Sequence, residues 1–332
     1  MAEPAPPRRP TGRDVARLAG VSQATVSLVF SGAGGHRVSD ATRERVREAA
    51  RTLGYQPQAA GRQLRLGRSG MVMLAVPNLL GPFFGRVLSG VHEEAHRRGL
   101  AVVVSSGWDG ATLAEAATAG RFDGLLICSP DDSQLGELPT DTPAVFLDAD
   151  PARNPGRPTV ELDVAAGMRA AVEHLAAGGH RRIGHLRSTL SAHTFRTRQA
   201  GFEAATADLE VVELGVSLNE GAEAARAVAR TLLARPDRPA AVICDDDVVA
   251  SGLYQAAAEL GLRIPDDVSV VGIDNIPVAG LLVPPLTTVD LPGEELGRTG
   301  VTALAALLAG DPVTPVPPLP TTLVTRASTR PV

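Results

Sequence analysis

Apolar residues recur at helical spacing twice within VARLAGVSQATVSLVFSG, residues 15–32. Val15, Leu18 and Ala19 fall at i, i+3 and i+4, and Val26, Val29 and Phe30 repeat the pattern. A single helix through Gly20 would be costly, whereas two short helices with a turn at that glycine are not. Ser22 is then an N-cap for the second helix. Val21 and Val26 bracket it as a hydrophobic staple that sets the angle between the two helices. This predicts either an ordinary helical corner or a helix-turn-helix whose second helix enters the DNA major groove. Farther on, Ser39 is placed to cap a third helix with an apolar face of Val46, Ala49, Ala50 and Leu53 and a stop at Gly54.

The pattern changes after a short polar stretch, QPQAAGRQLRLGRSG. Strand-like apolar runs (MVMLAV, LAVVVSS, GLLICS, AVFLDA, RRIGHLR, AAVICD and VSVVGID) alternate with helical runs at Phe83–Arg98 and near 164–178, 194–207, 220–234 and 247–260. Such alternation predicts parallel sheets covered on both faces. The number of units is large for one sheet and favours two α/β lobes. The late strand LTTVD and the helix after Pro292 are expected to carry the chain back to the first lobe. Ligands of such sheets bind beyond the carboxyl ends of the strands, which here would face a cleft.

Charge sharpens this division. Residues 1–68 hold 12 arginines against five acidic residues, while the 332-residue chain nets −5. A basic head on an acidic body predicts that only the head meets a polyanion. Cys128 and Cys244 stand apart in apolar runs, as reduced buried thiols would. No apolar run reaches the roughly 18 residues of a membrane helix. The Pro-rich residues 1–10 contain no export leader and are expected to be disordered. The chain is therefore expected to be cytoplasmic.

The quoted stretch extended to DVARLAGVSQATVSLVFSG, with RVSDATRERVREAARTLGYQP, VPNLLGPFFGRVLSGVHEEA, AVEHLAAGGHRRIGHL, RQAGF, ICDDDVVASG, GLRIPDDVSVVGIDN and PPLTTVD, runs in the order of the LacI/GalR (lac repressor) family. The chain resembles that family along nearly its whole length. The resemblance implies an all-α helix-turn-helix headpiece, a hinge helix that orders on the operator, and a two-lobed α/β core like a periplasmic sugar-binding protein. It implies a homodimeric, effector-controlled transcription regulator, a repressor, with palindromic double-stranded operator DNA and a small sugar or related metabolite as partners. Neither a cofactor nor a metal is implied. The expected divisions are a tail at 1–10, the headpiece at 11–56 and the hinge at 57–69. A sensor fills 70–332, with an N-lobe of about 70–160 and 291–320 and a C-lobe of about 161–290 and 321–332. No apolar heptads follow VTRASTRPV, which favours a dimer over a coiled-coil tetramer.

The first two residues of the recognition helix, Gln23 and Ala24, are expected at base edges, since Gln pairs with adenine and Ala touches a thymine methyl. Thr25 and Ser27 suit phosphates. Thr11, Ser22, Leu28, Arg37, Tyr55, Gln58 and Gly61 complete the expected DNA-binding set with Leu64. In the family, two hinge leucines wedge into the minor groove at a central base step, the position Leu64 would take; packing against the headpiece or core is the alternative. Departures from the family pattern are Gln58 for asparagine, Gly61 for alanine, Leu28 for arginine, a longer Gly-rich loop before Val38, and Asp245-Asp246-Asp247 for Ala-Asn-Asp.

For the effector, Arg198, Asp247 and Asp274 match family contact positions, and a mix of carboxylates and guanidinium suits vicinal hydroxyls. Trp108, Phe83 and Phe84 either line the cleft or pack in the core, and Asp274 could instead cap a turn. His92-Glu93-x-x-His96 matches a zinc-hydrolase signature, but the extended pattern places Val102 where a third ligand belongs. A solute-binding protein without DNA function, the other rival, would lack the basic head.

Overall fold

The computed structural model describes residues 10–31, 38–55, 68–107, 110–131, 138–218 and 221–332. The chain divides between Ser69 and Gly70 into two compact units.

In the first unit, α1 (Gly12–Ala19) begins at a capping box: the Thr11 amide and hydroxyl both donate to Asp14 Oδ2, at 2.9 and 2.7 Å. It ends at Gly20, whose φ of 65° is left-handed, with its N–H returning to the Ala16 and Arg17 carbonyls. The Ser22 hydroxyl accepts the Thr25 N–H at 3.1 Å and opens α2 (Gln23–Ser31). Ser39 caps α3 (Asp40–Leu53) by accepting the Thr42 N–H. Val15, Ala16, Ala19, Val26, Val29, Val46, Ala49 and Ala50 form the core, with Val21, Leu28, Leu53 and Tyr55 against it. Helical spacing misassigns Leu18, which is 53% exposed; Ala16 takes the buried place instead, because the contact stripe of so short a helix is narrow.

The second unit holds two sheets. In the first, β1 (Met71–Val76), β2 (Ala101–Ser106), β3 (Gly124–Cys128), β4 (Ala144–Leu147) and β5 (Thr159–Val160) are parallel, in the order β2-β1-β3-β4-β5. Both faces are buried: Val72, Leu74 and Val76 enter one core cluster and Met73 and Ala75 another, the period-two alternation of a strand. The second sheet contains β6 (Arg182–Ser188), β7 (Glu210–Val216), β8 (Ala241–Cys244), β9 (Ser269–Asp274), β10 (Thr287–Asp290) and β11 (Thr322–Val324). Its order is β11-β10-β9-β8-β6-β7, with β11 alone antiparallel.

Helices α4 (Pro82–Arg97) and α11 (Gly293–Ala309) pack against the first sheet, with α5 (Gly110–Thr118) following β2. Helices α6 (Val164–Ala177), α7 (His193–Ala205), α8 (Gly221–Leu233), α9 (Asp247–Glu259) and the short α10 (Pro277–Leu281) serve the second. The strand LTTVD does not return to the first lobe. It is β10, hydrogen-bonded to β9, and only α11 behind it crosses back. The crossing is close because it is glycine-lined: a Cβ on Gly90 of α4 would lie 1.9 Å from the Glu294 carbonyl oxygen, and one on Gly297 2.3 Å from that of Val87.

Candidate functional site

Two sites emerge, one in each unit. In the first unit the cap of α2 leaves Ser22, Gln23 and Ala24 exposed, while Val26 and Val29 face inward. The helix therefore presents its first turn to solvent on a rigid support. Thr25 and Ser27 are half-buried beside it. Leu28 packs against the headpiece core, so a long arginine is replaced here by an apolar side chain that turns inward. Tyr55 meets the Phe30 ring edge-on at 5.8 Å, and its hydroxyl lies beside Gly12 at the start of α1. Thr11 is engaged in the capping box. Arg37, Gln58, Gly61, Leu64 and Trp108 lie outside the described residues.

In the second unit, the carboxyl ends of β3, β4, β8 and β9 deliver polar residues to one place. Arg198 of α7 is its centre and only 4% exposed. Its Nη2 lies 3.3 Å from Asp274 Oδ1, its Nη1 donates to the Asp245 carbonyl, and the Phe195 ring sits 5.0 Å from the guanidinium carbon. Asp148, at the end of β4, brings a carboxylate from the other sheet; it accepts the Ser129 hydroxyl at 2.8 Å. Asp246 caps α9 by accepting the Val249 N–H at 2.6 Å.

Four non-glycine residues at these strand ends have left-handed backbones: Ser129 (φ 43°), Asp148 (φ 49°), Asp274 (φ 103°) and Asn275 (φ 51°). Strain of this kind costs about 1–3 kcal/mol per residue and collects where function demands a fixed side-chain direction. Burial raises the pKa of Asp148, and that of Asp274 well above the usual carboxylate range. For Asp274 the attraction of Arg198 opposes that rise, and repulsion from Asp246, Asp247 and Asp148 adds to it.

Asp247, expected beside Arg198 and Asp274 as an effector ligand, has both carboxylate oxygens engaged by the protein. It is fully buried, with Oδ2 taken by the Ile276 N–H at 2.9 Å and Oδ1 by the Thr288 hydroxyl at 2.6 Å. It fastens the β9–α10 turn that carries Asp274 and Asn275. Burial pushes its pKa up to about 7, against those two hydrogen bonds. Phe83 is likewise a core residue, buried between α4 and Gly293, while Phe84 stays half-buried and meets it edge-on at 5.6 Å.

Sequence reasoning missed Arg86, Asp148 and Asp246. Arg86 leaves α4, crosses to the second sheet and donates Nη1 to both the Asp274 carbonyl and Asp290 Oδ1, each at 2.9 Å. Its Nη2 pairs with Glu294 at 2.8 Å. Contacts from Ser191 to Asp131 at 3.0 Å, from Arg196 to Asp150 at 3.6 Å and from His193 to Asp150 at 3.9 Å also bridge the sheets. Beneath the site His185 is buried between Asp245 and Glu213, at 2.9 and 3.0 Å from its two ring nitrogens. Burial works to lower its pKa, but the two carboxylates outweigh it and raise it.

His92 and His96 stack on the exposed flank of α4, and Glu93 pairs with Arg298 at 3.3 Å. Among the described residues no three histidine, cysteine or carboxylate side chains are grouped to hold a metal, and no helix is long and apolar enough to cross a membrane.

Residues 11–58 match the family of bacterial regulatory proteins, lacI family, and residues 172–329 match a periplasmic binding protein-like domain. The chain is 33% identical to the HTH-type transcriptional repressor PurR of Photobacterium profundum, over 89% of this chain and 90% of that one. It is 33% identical to the ribose operon repressor of Halalkalibacterium halodurans, with 96% and 97% covered. Among solved structures, the lac repressor dimer bound to operator and the anti-inducer ONPF superposes with a TM-score of 0.86 at 30% identity, covering 97% of this chain and all (100%) of that one. The complex of the transcriptional regulator CelR with cellobiose gives 0.69 at 29% identity, with 96% and 100% covered.

Proposed function

The chain belongs to the LacI family of bacterial regulatory proteins, and from that premise we propose how it works as a DNA-binding transcriptional repressor under small-molecule control. The headpiece, residues 11–56, docks α2 in the major groove of one half of a palindromic operator. Gln23 and Ala24 read base edges, and Ser22, Thr25 and Ser27 hold phosphates. Residues 57–69 form the hinge, where Leu64 of each protomer wedges into the minor groove. Residues 70–332 are the sensor, with lobes at about 70–160 with 291–320 and 161–290 with 321–332. The protein acts as a homodimer in the cytoplasm, where its DNA is, and as a binding protein rather than an enzyme.

The observation that carries the effector reading is Arg198, buried at the strand ends with its Nη2 3.3 Å from Asp274 Oδ1 and with the Asp148 and Asp246 carboxylates near enough to feel its charge. Arg198 is almost wholly buried, yet its Nε has no hydrogen-bond partner. A buried guanidinium donor without an acceptor is costly, and a bound hydroxyl oxygen would remove that cost. The relatives bear on effector class: one is named a ribose operon repressor and one structure holds cellobiose. A small polyhydroxylated effector fits this chemistry.

Control follows from linkage. The effector changes DNA affinity only by as much as it prefers one arrangement of the lobes over another. Residues that span the cleft, Arg86 above all, make the closed arrangement distinct from an open one. Footprinting of upstream DNA with purified protein, with and without a panel of small sugars, tests the reading. A protected palindrome whose occupancy changes with one sugar supports it; protection indifferent to every sugar counts against sensing.

A further inference from the structure

His185 stands on β6, fully buried beneath the strand ends. Each of its ring nitrogens faces a carboxylate oxygen. Nδ1 lies 3.0 Å from Glu213 Oε1 on β7, and Nε2 lies 2.9 Å from Asp245 Oδ1 just past β8. A neutral imidazole carries one N–H and one lone pair, so it satisfies only one of these contacts and sets its lone pair against the other carboxylate. A ring with both nitrogens protonated satisfies both. Burial works against that charge, and the two carboxylates overcome it. From α7 the Phe202 ring packs 4.2 Å away, and Gln199 donates to Glu213 at 2.9 Å and to Glu203 at 2.8 Å. Arg187, on β6 itself, adds positive charge near Glu213.

Asp245 connects this charge to the effector site. Its Oδ1 takes His185, and its Oδ2 accepts the Ser188 N–H at 2.6 Å, which fixes the end of β6 where the chain turns toward α7. Its backbone carbonyl accepts Nη1 of Arg198. One buried aspartate therefore joins the imidazole, the turn before α7 and the guanidinium. A neutral His185 that donates to Glu213 leaves the Asp245 carboxylate facing a lone pair, and a buried carboxylate deprived of its donor is costly enough to move. The carbonyl of the same residue moves with it.

We propose that His185 is a positioning residue for effector binding, held as an imidazolium that fixes Asp245 and, through the Asp245 carbonyl, the direction of Arg198. The inference rests on the effector reading above and adds to it a dependence on one proton. Affinity is full while His185 is charged. It falls as pH rises through the raised pKa of the ring, by up to about tenfold per pH unit. By the same linkage, effector binding pushes the His185 titration further up.

The test uses the full-length protein with ribose, glucose and cellobiose as probes. Proton–nitrogen NMR spectra of the histidine rings, with the His185 signals identified by their loss in His185→Gln, read its protonation directly. Isothermal titration from mildly acidic to alkaline pH reads affinity. The expected result is a doubly protonated ring at neutral pH and a wild-type affinity that falls in step with loss of that proton. His185→Gln should weaken binding at neutral pH by at least about fivefold and flatten the profile. Glu213→Gln removes one carboxylate from an edge strand, where the side chain is 32% exposed. It should move both the His185 titration and the affinity profile down by roughly one pH unit or more. A purely structural role would weaken binding without moving the profile. Melting curves check folding, and if His185→Gln does not fold, Glu213→Gln decides alone. A singly protonated ring at neutral pH, or an affinity profile that Glu213→Gln leaves in place, overturns the proposal. If sugar binding is nevertheless lost in Arg198→Ala, the effector reading survives and the positioning role alone fails. If no probe binds wild type, or binding persists in Arg198→Ala, the effector reading fails and the positioning role with it.

Discussion

The Arg198 guanidinium lies 3.3 Å from Asp274 Oδ1, and Asp274 holds a φ of 103° to make that contact. A left-handed aspartate is tolerated only where its surroundings fix it. Those surroundings are the Arg86 hydrogen bond to its carbonyl and the Asp247 anchor of the turn behind it. Asp274→Ala removes the carboxylate and leaves the headpiece untouched. Operator affinity without effector is expected to stay within about twofold of wild type. The coupling between effector and operator, typically about 1–3 kcal/mol, is expected to vanish. Fluorescence anisotropy of a labelled operator with and without effector measures both.

In the headpiece, Gln23 stands exposed at the start of a helix whose cap and core fix its direction. Gln23→Ala is expected to change the preferred base at one symmetric pair of operator positions, at about 1–3 kcal/mol per site. Binding-site selection from random DNA reads this directly, and an unchanged consensus would contradict the base contact.

Arg86 bridges the two sheets through Asp290, Glu294 and the Asp274 carbonyl. Arg86→Ala should favour the open arrangement of the lobes, because Asp290 and Glu294 then face each other without their cation. The expected loss is roughly 1–3 kcal/mol in effector affinity, with a larger radius of gyration in small-angle scattering. A variant as compact as wild type with unchanged affinity would show that the bridge is passive.

Asp247 predicts a pH dependence of stability. Its folded pKa of about 7 lies above its unfolded value of 3.8, so between those limits the folded state holds a proton that the unfolded state has lost. Its contribution is present in full below the unfolded value and is lost as pH rises through the folded one, at about 1.4 kcal/mol per pH unit. Asp247→Asn mimics the protonated side chain, donating to Thr288 and accepting from the Ile276 N–H. Its unfolding free energy should therefore lose this slope between pH 4 and 7, while Asp247→Leu is strongly destabilised. Urea melts across that range decide it.

Much of this was legible because the signals are local. Gly20, Ser22, Ser39 and Gly54 announce turns and caps from chemistry within four residues, and each takes the expected position. The α/β alternation likewise survives, since strands buried on both faces read as unbroken apolar runs. Strand β7 was missed because EVVELGV is an edge strand that interleaves charge with apolar residues. The cleft was legible only in part. Arg198 and Asp274 stand out through family motifs, but Arg86 acquires its role from residues 188 to 208 positions away. Asp246 and Asp247 are adjacent carboxylates that no local rule separates. Only the fold shows that one caps α9 at the cleft while the other is buried beneath the turn.

The proposed function requires that the Arg198 cleft govern the grip of the headpiece on its operator. The most direct measurement is operator affinity of wild type and Arg198→Ala, each titrated with the effector that the panel of small sugars selects. The effector is expected to shift wild-type affinity by at least about fivefold and to leave Arg198→Ala, still bound to DNA, unmoved. An equal shift in both proteins at the same effector concentrations would contradict it.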